Sequence, residues 1–478
     1  MAIGIGSQNA VSQGNFSPAV NVKGDNNTVT VAFDMKALAA AMMDEAAARG
    51  MAVPVPAMSA AVAQIASGSA GDGRLASALH LLAQRKPEEA EALLKAVAEE
   101  KAARIEQDSR DAAEAFRALA AIASVTDLGR AQDAYEKALA YDPGDLESAL
   151  NAGWIAVGRG QLDHAADLLR RVQENSSSAR LLFWTHMGFA DVFEWRGDTP
   201  HAVGACVEAV NLAKAVRDKF PESELWRRNL RVALSRYGDA VKRRGEDALG
   251  WYQRALALFE STSPDVQRPA AESTDYAFLL NKIGREWLDK GDTQGASGAH
   301  SVALRIYGGL SAGAPDRVDY RHGVMITRTD LGNICAKIGD WKQASGHYQA
   351  AMQIAVQQLQ ADPQSMEAKR DVGLLNVKVG HVLAAIGDTE NALAAFRGGL
   401  SLVQPIAESD PGNREYQHDV ARAQFYVGQA AARLGQMPDA GVALRESVRI
   451  FQALTTINPA NVAWREGLRE ADKLLAAN

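Results

Sequence analysis

Cysteine is nearly absent: Cys206 and Cys335 are the two in 478 residues. A disulfide framework or a cysteine-built zinc site is therefore excluded within one chain, and a reducing cytoplasm is the expected compartment. No apolar run approaches the roughly 20 residues that span a bilayer, and Met1 to Val11 has neither the basic start nor the apolar core of a secretory signal. Neither sign of charge dominates. The 51 basic and 58 acidic side chains leave a net charge of −7, which argues against non-specific attraction to nucleic acid as the main activity. Aromatics are 6%, and the Gly and Pro content is too low for a collagen-like or wholly disordered chain.

Catalytic signatures are missing as well. The sequence has no phosphate-cradling Gly loop ending in Gly-Lys-Ser/Thr, no His-Glu-x-x-His, no Gly-x-Ser-x-Gly and no Cys-x-x-Cys. The nine histidines are scattered, and His300 and His347 recur without a carboxylate or Cys to share a metal, so they read as packing residues. Cys206 and Cys335 fall at inward positions and read as buried thiols. The expectation is a soluble, non-enzymatic chain with no catalytic, cofactor or metal residues.

What is present is a repeat. The steps Gly284 to Gly332 to Gly380 to Gly428 are each 48 residues, as is Ala190 to Gly238. A second Gly follows seven residues later, at 197, 245, 291, 339, 387 and 435, and Pro315, Pro363, Pro411 and Pro459 keep the same beat. The interval from Gly238 to Gly284 is short, at 46, and the proline beat puts the loss between Pro269 and Gly284. Twelve residues after the first Gly comes a small residue (Ala296, Ala344, Ala392, Ala440), and four beyond it a larger one (His300, Tyr348, Phe396, Leu444). This predicts helix, Gly turn, helix, with small residues letting the helices approach and the larger one filling the space beside them.

The pattern resembles the tetratricopeptide repeat, whose Gly, Ala, aromatic, Ala and Pro slots fall at Gly332, Ala344, Tyr348, Ala351 and Pro363. An earlier stretch has the 34-residue form, at Ala131, Tyr135, Ala138, Pro143, Gly153, Gly160, Ala165 and Leu169. Comparing the two, each helix of the later units has gained seven residues, about two turns, which keeps its apolar face in register. The resemblance implies an all-α superhelix of antiparallel helix pairs. It also implies a groove lined by the first helix of each pair, at positions three before and one and four or five after the first Gly. In this sequence that set includes Asp191, Trp195, Lys242, Arg243, Asn281, Arg285, Asn333, Lys337, His381, Phe425 and Arg433, with Met187, Glu194, Asp239, Asp289, Thr329, Val377 and Gln429. The lining is mixed in charge and suits a helix or extended peptide carrying both signs.

Residues 1–33 differ from the rest. Ala19 to Lys23, a Gly-Asp-Asn-Asn turn and Thr28 to Phe33 read as a β-hairpin or a β-solenoid-like piece. An isolated hairpin is marginal in water, so the segment is either a disordered tail or a self-assembly element through Val20, Val22, Asn26, Asn27, Val29, Val31 and Phe33. The further divisions are a helical region with a linker (34–110), short repeats (111–177), extended repeats (178–458) and a capping helix (459–478). Within 34–110, residues 34–48, Leu75 to Ala83 and Pro87 to Ile105 read as helices, and Met51 to Met58 as linker.

The densest charge feature, Arg227, Arg228, Arg231, Arg236, Lys242, Arg243 and Arg244, is either a docking patch for an acidic or nucleic-acid partner or a helix face linked to neighbouring acids. The functional expectation is an interaction scaffold or adaptor that binds a protein or peptide, self-associates through its N-terminal segment and touches no membrane. The Gly-Asp-Asn-Asn-Thr-Val element ahead of the repeats also resembles N-terminal pieces of bacterial signalling and defence proteins, which implies an effector on a separate polypeptide. An enzyme hidden in 34–110 has little to work with: His80, no Cys, and no aromatic before Phe116.

Overall fold

The protein is described from a computed structural model, which covers residues 19–23, 28–32, 73–84, 86–103, 109–259 and 268–477. Strands β1 (Ala19–Lys23) and β2 (Thr28–Ala32) pair antiparallel, with Val20 opposite Val31 and Val22 opposite Val29. Asn26, Asn27, Phe33, the expected helix at 34–48 and the linker lie outside the described residues. From Gly73 onward every described element is a helix.

The chain divides into two compact units, with the boundary between Ile155 and Ala156. The first contains α1 (Gly73–Ala83), α2 (Pro87–Ala103), α3 (Ser109–Thr126), α4 (Leu128–Tyr141) and most of α5 (Leu146–Gly158). Its core is built largely of alanines and leucines, and Arg117 donates to Asp145 at 2.9 Å, tying α3 to the start of α5.

The second unit begins with α6 (Leu162–Asn175) and continues as helix pairs. These are α7 (Ala179–Trp195) with α8 (Thr199–Lys219), α9 (Glu224–Arg243) with α10 (Leu249–Leu256), and α11 (Ala270–Asp289) with α12 (Thr293–Gly313). Then come α13 (Val318–Lys337) with α14 (Trp341–Ala361), α15 (Met366–Ala385) with α16 (Thr389–Ser409), and α17 (Arg414–Arg433) with α18 (Met437–Ile457); α19 (Val462–Ala477) follows. α13 and α14 have 20 and 21 residues where α5 and α6 have 13 and 14, so both helices of an extended pair are seven residues longer.

Each turn within a pair is built on the same glycine. The second Gly takes a left-handed backbone, with φ of 81° at Gly339 and 90° at Gly387, which ends the first helix at no steric cost. The Asp that follows Gly197, Gly291, Gly339 and Gly387 caps the next helix by accepting the N–H three residues on, satisfying an otherwise orphaned donor. At the first Gly the constraint is space. A Cβ there would lie 2.5 Å from a ring atom of Tyr252 at Gly238, of His300 at Gly284, of Tyr348 at Gly332 and of Phe396 at Gly380. Where the first slot holds Ala190, the large-residue slot holds Cys206, buried in the same cluster. The Ala slots at 296, 344, 392 and 440 are fully buried.

The shortened unit corrects one expectation. α11 has the full 20 residues and Pro269 is its N-cap, whereas Pro315, Pro363 and Pro411 each stand three residues ahead of a first helix. The loss therefore precedes Ala270. It accompanies α10, which stops after 8 residues where other second helices run to 21.

First helices of successive pairs pack on one another, α11 on α13 and α15 on α17, so the ribbon curves toward that side. Within this unit it completes a turn and its two edges meet. Asn458 Nδ2 donates to Thr199 Oγ1 at 2.6 Å, in a buried position, across 259 residues of sequence. The Cβ position of Gly197 lies 3.2 Å from Ile457 and 3.5 Å from the Trp464 ring, that of Gly245 lies 2.7 Å from Val462, and that of Gly160 lies 3.1 Å from Asp410. The α18–α19 turn thus sits on the turns of the α7–α8 and α9–α10 pairs. α19, expected to cap an open end, abuts the beginning of the coil.

Candidate partner-binding groove

The inner wall is held by two ladders of polar links between successive first helices. In the first, the residue one after the first Gly slot meets the residue two before the first Gly of the next pair. Asp191 pairs with Arg236, Asp239 with Lys282, and Arg285 donates to Asp330 at 2.9 Å; at the last such step the His381 ring stands edge-on to Tyr426, 4.2 Å between centroids. In the second ladder, Arg228 donates to Asp275 at 2.8 Å, His322 lies 3.3 Å from Asp371, and Arg370 donates to Asp419 at 2.6 Å. Close to the first ladder, Lys242 reaches Glu286 at 2.5 Å and Asp289 at 2.7 Å.

These pairings set the ionisation of the wall. Burial opposes the Asp239 carboxylate, but Lys282, Tyr252 and Arg236 outweigh it and hold its pKa below the usual carboxylate range. The charge of Asp330 raises Arg285 further, against burial. Burial opposes the His322 imidazolium, yet the hydrogen bond and charge of Asp371, with Glu367 and Asp319, raise it.

The Arg227 to Arg244 run is accordingly neutralised in place. Arg227 and Arg231 pair with Glu224, Arg228 with Asp275, Arg236 with Asp191, Arg243 with Glu194 and Arg244 with Glu246. Of the two sequence readings, inter-helix links describe it better than an open basic patch.

The residues expected to line the groove have varied roles. Asp191, Lys242, Arg243 and Arg285 join first helices to one another. Arg243 also lies 3.7 Å from Glu415 where the coil's edges meet. Asn281 is buried at 4% exposure, donating to Thr327 Oγ1 at 2.8 Å with His300 Nδ1 at 2.9 Å, so it faces the interior of the wall. Asn333 accepts from the Tyr348 hydroxyl at 2.9 Å, and Lys337 donates to the Leu288 carbonyl at 2.5 Å. Trp195 is half-buried and Arg433 is exposed. Phe425 is half-buried and stands edge-on to Tyr426, 5.2 Å between centroids. Cys206 is buried, which pushes its thiol up to about 12; Cys335 is half-buried.

A cavity of about 230 Å³ opens where four successive first helices converge. Its apolar part is Met325, Ile326, Leu374 and Leu375; its charged part includes Lys378 and Arg422. Arg285, Thr329 and Val377 are the members of the expected groove set that reach it. Lys378 and Arg422, two and six before a first Gly, were missed because positions copied from 34-residue repeats skip them. A detectable signal existed: opposite charges 45 residues apart at Asp191 and Arg236 and at Arg285 and Asp330, and 49 apart at Arg370 and Asp419, mark positions that face each other across a 48-residue period.

Comparison with known proteins agrees with this architecture. The tetratricopeptide repeat family model matches residues 328–362, the second half of α13 and all of α14. No curated protein matches the sequence significantly. Among solved structures, the apo form of the quorum sensor NprR from B. thuringiensis is similar with a TM-score of 0.52 at 12% identity, over 80% of this chain and 99% of that one. A Rap protein complexed with competence and sporulation factor has a TM-score of 0.49 at 14% identity, over 80% of this chain and 98% of that one. Residues 328–362 thus match a tetratricopeptide repeat, and the Gly, Ala and large-residue slots of that stretch recur with the same packing in the neighbouring helix pairs.

Proposed function

We propose that the chain is a non-enzymatic scaffold whose inner wall, within residues 178–458, holds a segment of a partner protein. The observation that carries this reading is the cavity among converging first helices, lined by apolar side chains and by charges of both signs. Mixed lining on a rigid concave wall suits an extended or helical peptide held by a few anchors. In this reading residues 34–110 lead into the array, 111–177 are its short-form repeats, 459–478 end it, and 1–33 join copies together. No helix among the described residues is long and apolar enough to cross a membrane. The cytoplasm is the proposed compartment.

Selection of the intact protein on a random peptide library tests the scaffold. Enriched sequences whose binding is lost on replacing Met325 and Leu374 by Asp support it, and no enrichment, or enrichment indifferent to these changes, overturns it. Light scattering before and after deletion of 1–33 tests self-association: a multimer should become a monomer, and an unchanged mass refutes that role. A second reading, a bacterial signalling or defence component acting with a separate effector, is favoured by the Gly-Asp-Asn-Asn-Thr-Val segment ahead of the repeats. Nucleic-acid binding is disfavoured by the acid partners along Arg227 to Arg244, and affinity for DNA or RNA that falls steeply with salt would reinstate it.

A further inference from the structure

The two edges of the coil meet over part of their length. At the seam, the inter-pair turn at the end of the array rests on Gly turns near its start, with Ile457 and Trp464 against Gly197 and Val462 against Gly245. The Gly339, Gly387 and Gly435 turns have no such neighbour among the described residues. The chemistry changes along the same edge. The residue that closes the first helix is Arg196, Arg244 or Lys290 in the pairs from α7–α8 to α11–α12, and Ile338, Ile386 or Leu434 in those from α13–α14 to α17–α18. A cation suits a helix C-terminus, and the basic set is engaged locally, Arg196 with Asp163, Arg244 with Glu246 and Lys290 with Asp247. The apolar set forgoes that stabilisation. Ile338 and Ile386 are each 61% exposed, and Met437, three residues after the half-buried Leu434, is 43% exposed. Apolar side chains recurring at one register on a turn edge, outside the core, mark a contact surface.

We infer that this Gly-turn edge receives the inter-pair-turn edge of a second copy of the chain, in the arrangement that the seam uses within one copy. A second copy is the indicated occupant because the seam is itself a contact between these two kinds of edge, and because inter-pair turns outside the seam are apolar at seam positions. Counted from the proline of each turn, Phe220 stands where Asn458 stands in the seam, and Met366 stands where Val462 does. Phe220 and Met366 are 53% and 48% exposed, and Leu225, in the first turn of α9, is 50% exposed. The α8–α9 turn, with Phe220 and Leu225 together, is therefore the complement assigned to Ile338, Ile386 and Leu434. Joining unlike edges is a head-to-tail contact, which extends unless its rotation closes a ring. A few side chains from each copy fall short of the roughly 1,200–2,000 Å² of a stable interface, so copies meet this way when concentrated and part in dilute solution. The inference goes beyond the roles proposed for residues 1–33 and for the inner wall and rests on neither.

Cross-linking between two full-length variants tests the contact. One carries Ile386→Cys and the other Phe220→Cys, each with Cys335→Ser, which leaves the buried Cys206 as the native thiol. After mixing at high concentration, a short bis-maleimide should join the two variants at a yield about tenfold above that of either variant alone. Adding Ile338→Asp to the first or Leu225→Asp to the second should lower that yield about tenfold. The four substituted edge positions are exposed, and circular dichroism checks that each variant keeps its helix content. If the Ile386→Cys variant links to itself as readily as to its counterpart, like edges meet and the head-to-tail inference is overturned. It is overturned equally by no link above background, or by a yield that neither Asp substitution changes. The link reports which edges touch, whatever brings the copies together, so assembly through 1–33 and peptide selection by the inner wall can each fail without altering the outcome.

Discussion

Arg285 donates to Asp330 at 2.9 Å at the same two register positions where Lys282 meets Asp239, but with the signs exchanged. Where a step of the wall is charged it therefore pairs opposite signs, and it is indifferent to which helix carries which. Arg285→Asp alone sets two carboxylates together and should cost about 1–3 kcal/mol, the pair being half exposed on the arginine side. Arg285→Asp with Asp330→Arg should recover most of that loss. Urea denaturation of the four proteins checks it; a double variant as weak as the sum of the singles would deny the register.

Gly332 and Tyr348 are coupled by volume. Gly332→Ala puts a methyl group 2.5 Å from the Tyr348 ring and should cost about 1–3 kcal/mol through overpacking. The chain contains its own compensation, since Ala190 is matched by Cys206. Combining Gly332→Ala with Tyr348→Cys should be less destabilising than the two costs added, by about 1–2 kcal/mol in a double-mutant cycle.

Lys378 should reduce stability where its equivalents add to it. Burial and Arg422 hold its pKa at about 8, below the value of 10.5 that it has when unfolded. Between those values the unfolded chain binds more protons than the folded one, so the penalty is complete below pH 8 and fades as pH rises toward 10.5. Lys378→Met should thus stabilise the protein at pH 7 by about 1–3 kcal/mol and remove the alkaline rise. Lys282→Met, by contrast, leaves Asp239 buried without its cation and should destabilise. Thermal melts from pH 7 to 10.5 separate the two.

Trp464 joins the end of the coil to its beginning through Gly197 and is 4% exposed. Trp464→Ala removes a large buried side chain there and should loosen the seam, raising the radius of gyration in small-angle scattering while helix content by circular dichroism stays nearly constant. An unchanged scattering profile would mean that Asn458 and Val462 suffice to hold it.

The repeat was readable because it rests on steric constraints that each demand a residue type: a left-handed turn for Gly339, contact with an aromatic ring for Gly332, full burial for Ala344. These repeat with every pair and need no knowledge of the coil. The wall was less readable. Asp191 and Arg285 are legible as groove positions but their ion pairs are not, because Arg236 and Asp330 lie in the next pair and face them only after the twist between pairs is known. Lys378 was passed over for the same reason, since nothing in its own helix marks it as uncompensated. Pro269 misled the reading of the short unit by imitating the proline beat while serving as the N-cap of α11.

The contact of Asn458 with Thr199 bears on how such a chain changes length. Open repeat arrays gain or lose a module freely, since each touches only its neighbours. Here one more 48-residue module would carry the α18–α19 turn past the Gly197 and Gly245 turns, and one fewer would leave it short. Module number is therefore locked by circumference, and duplication or deletion within 178–458 would break an interface far from the altered module.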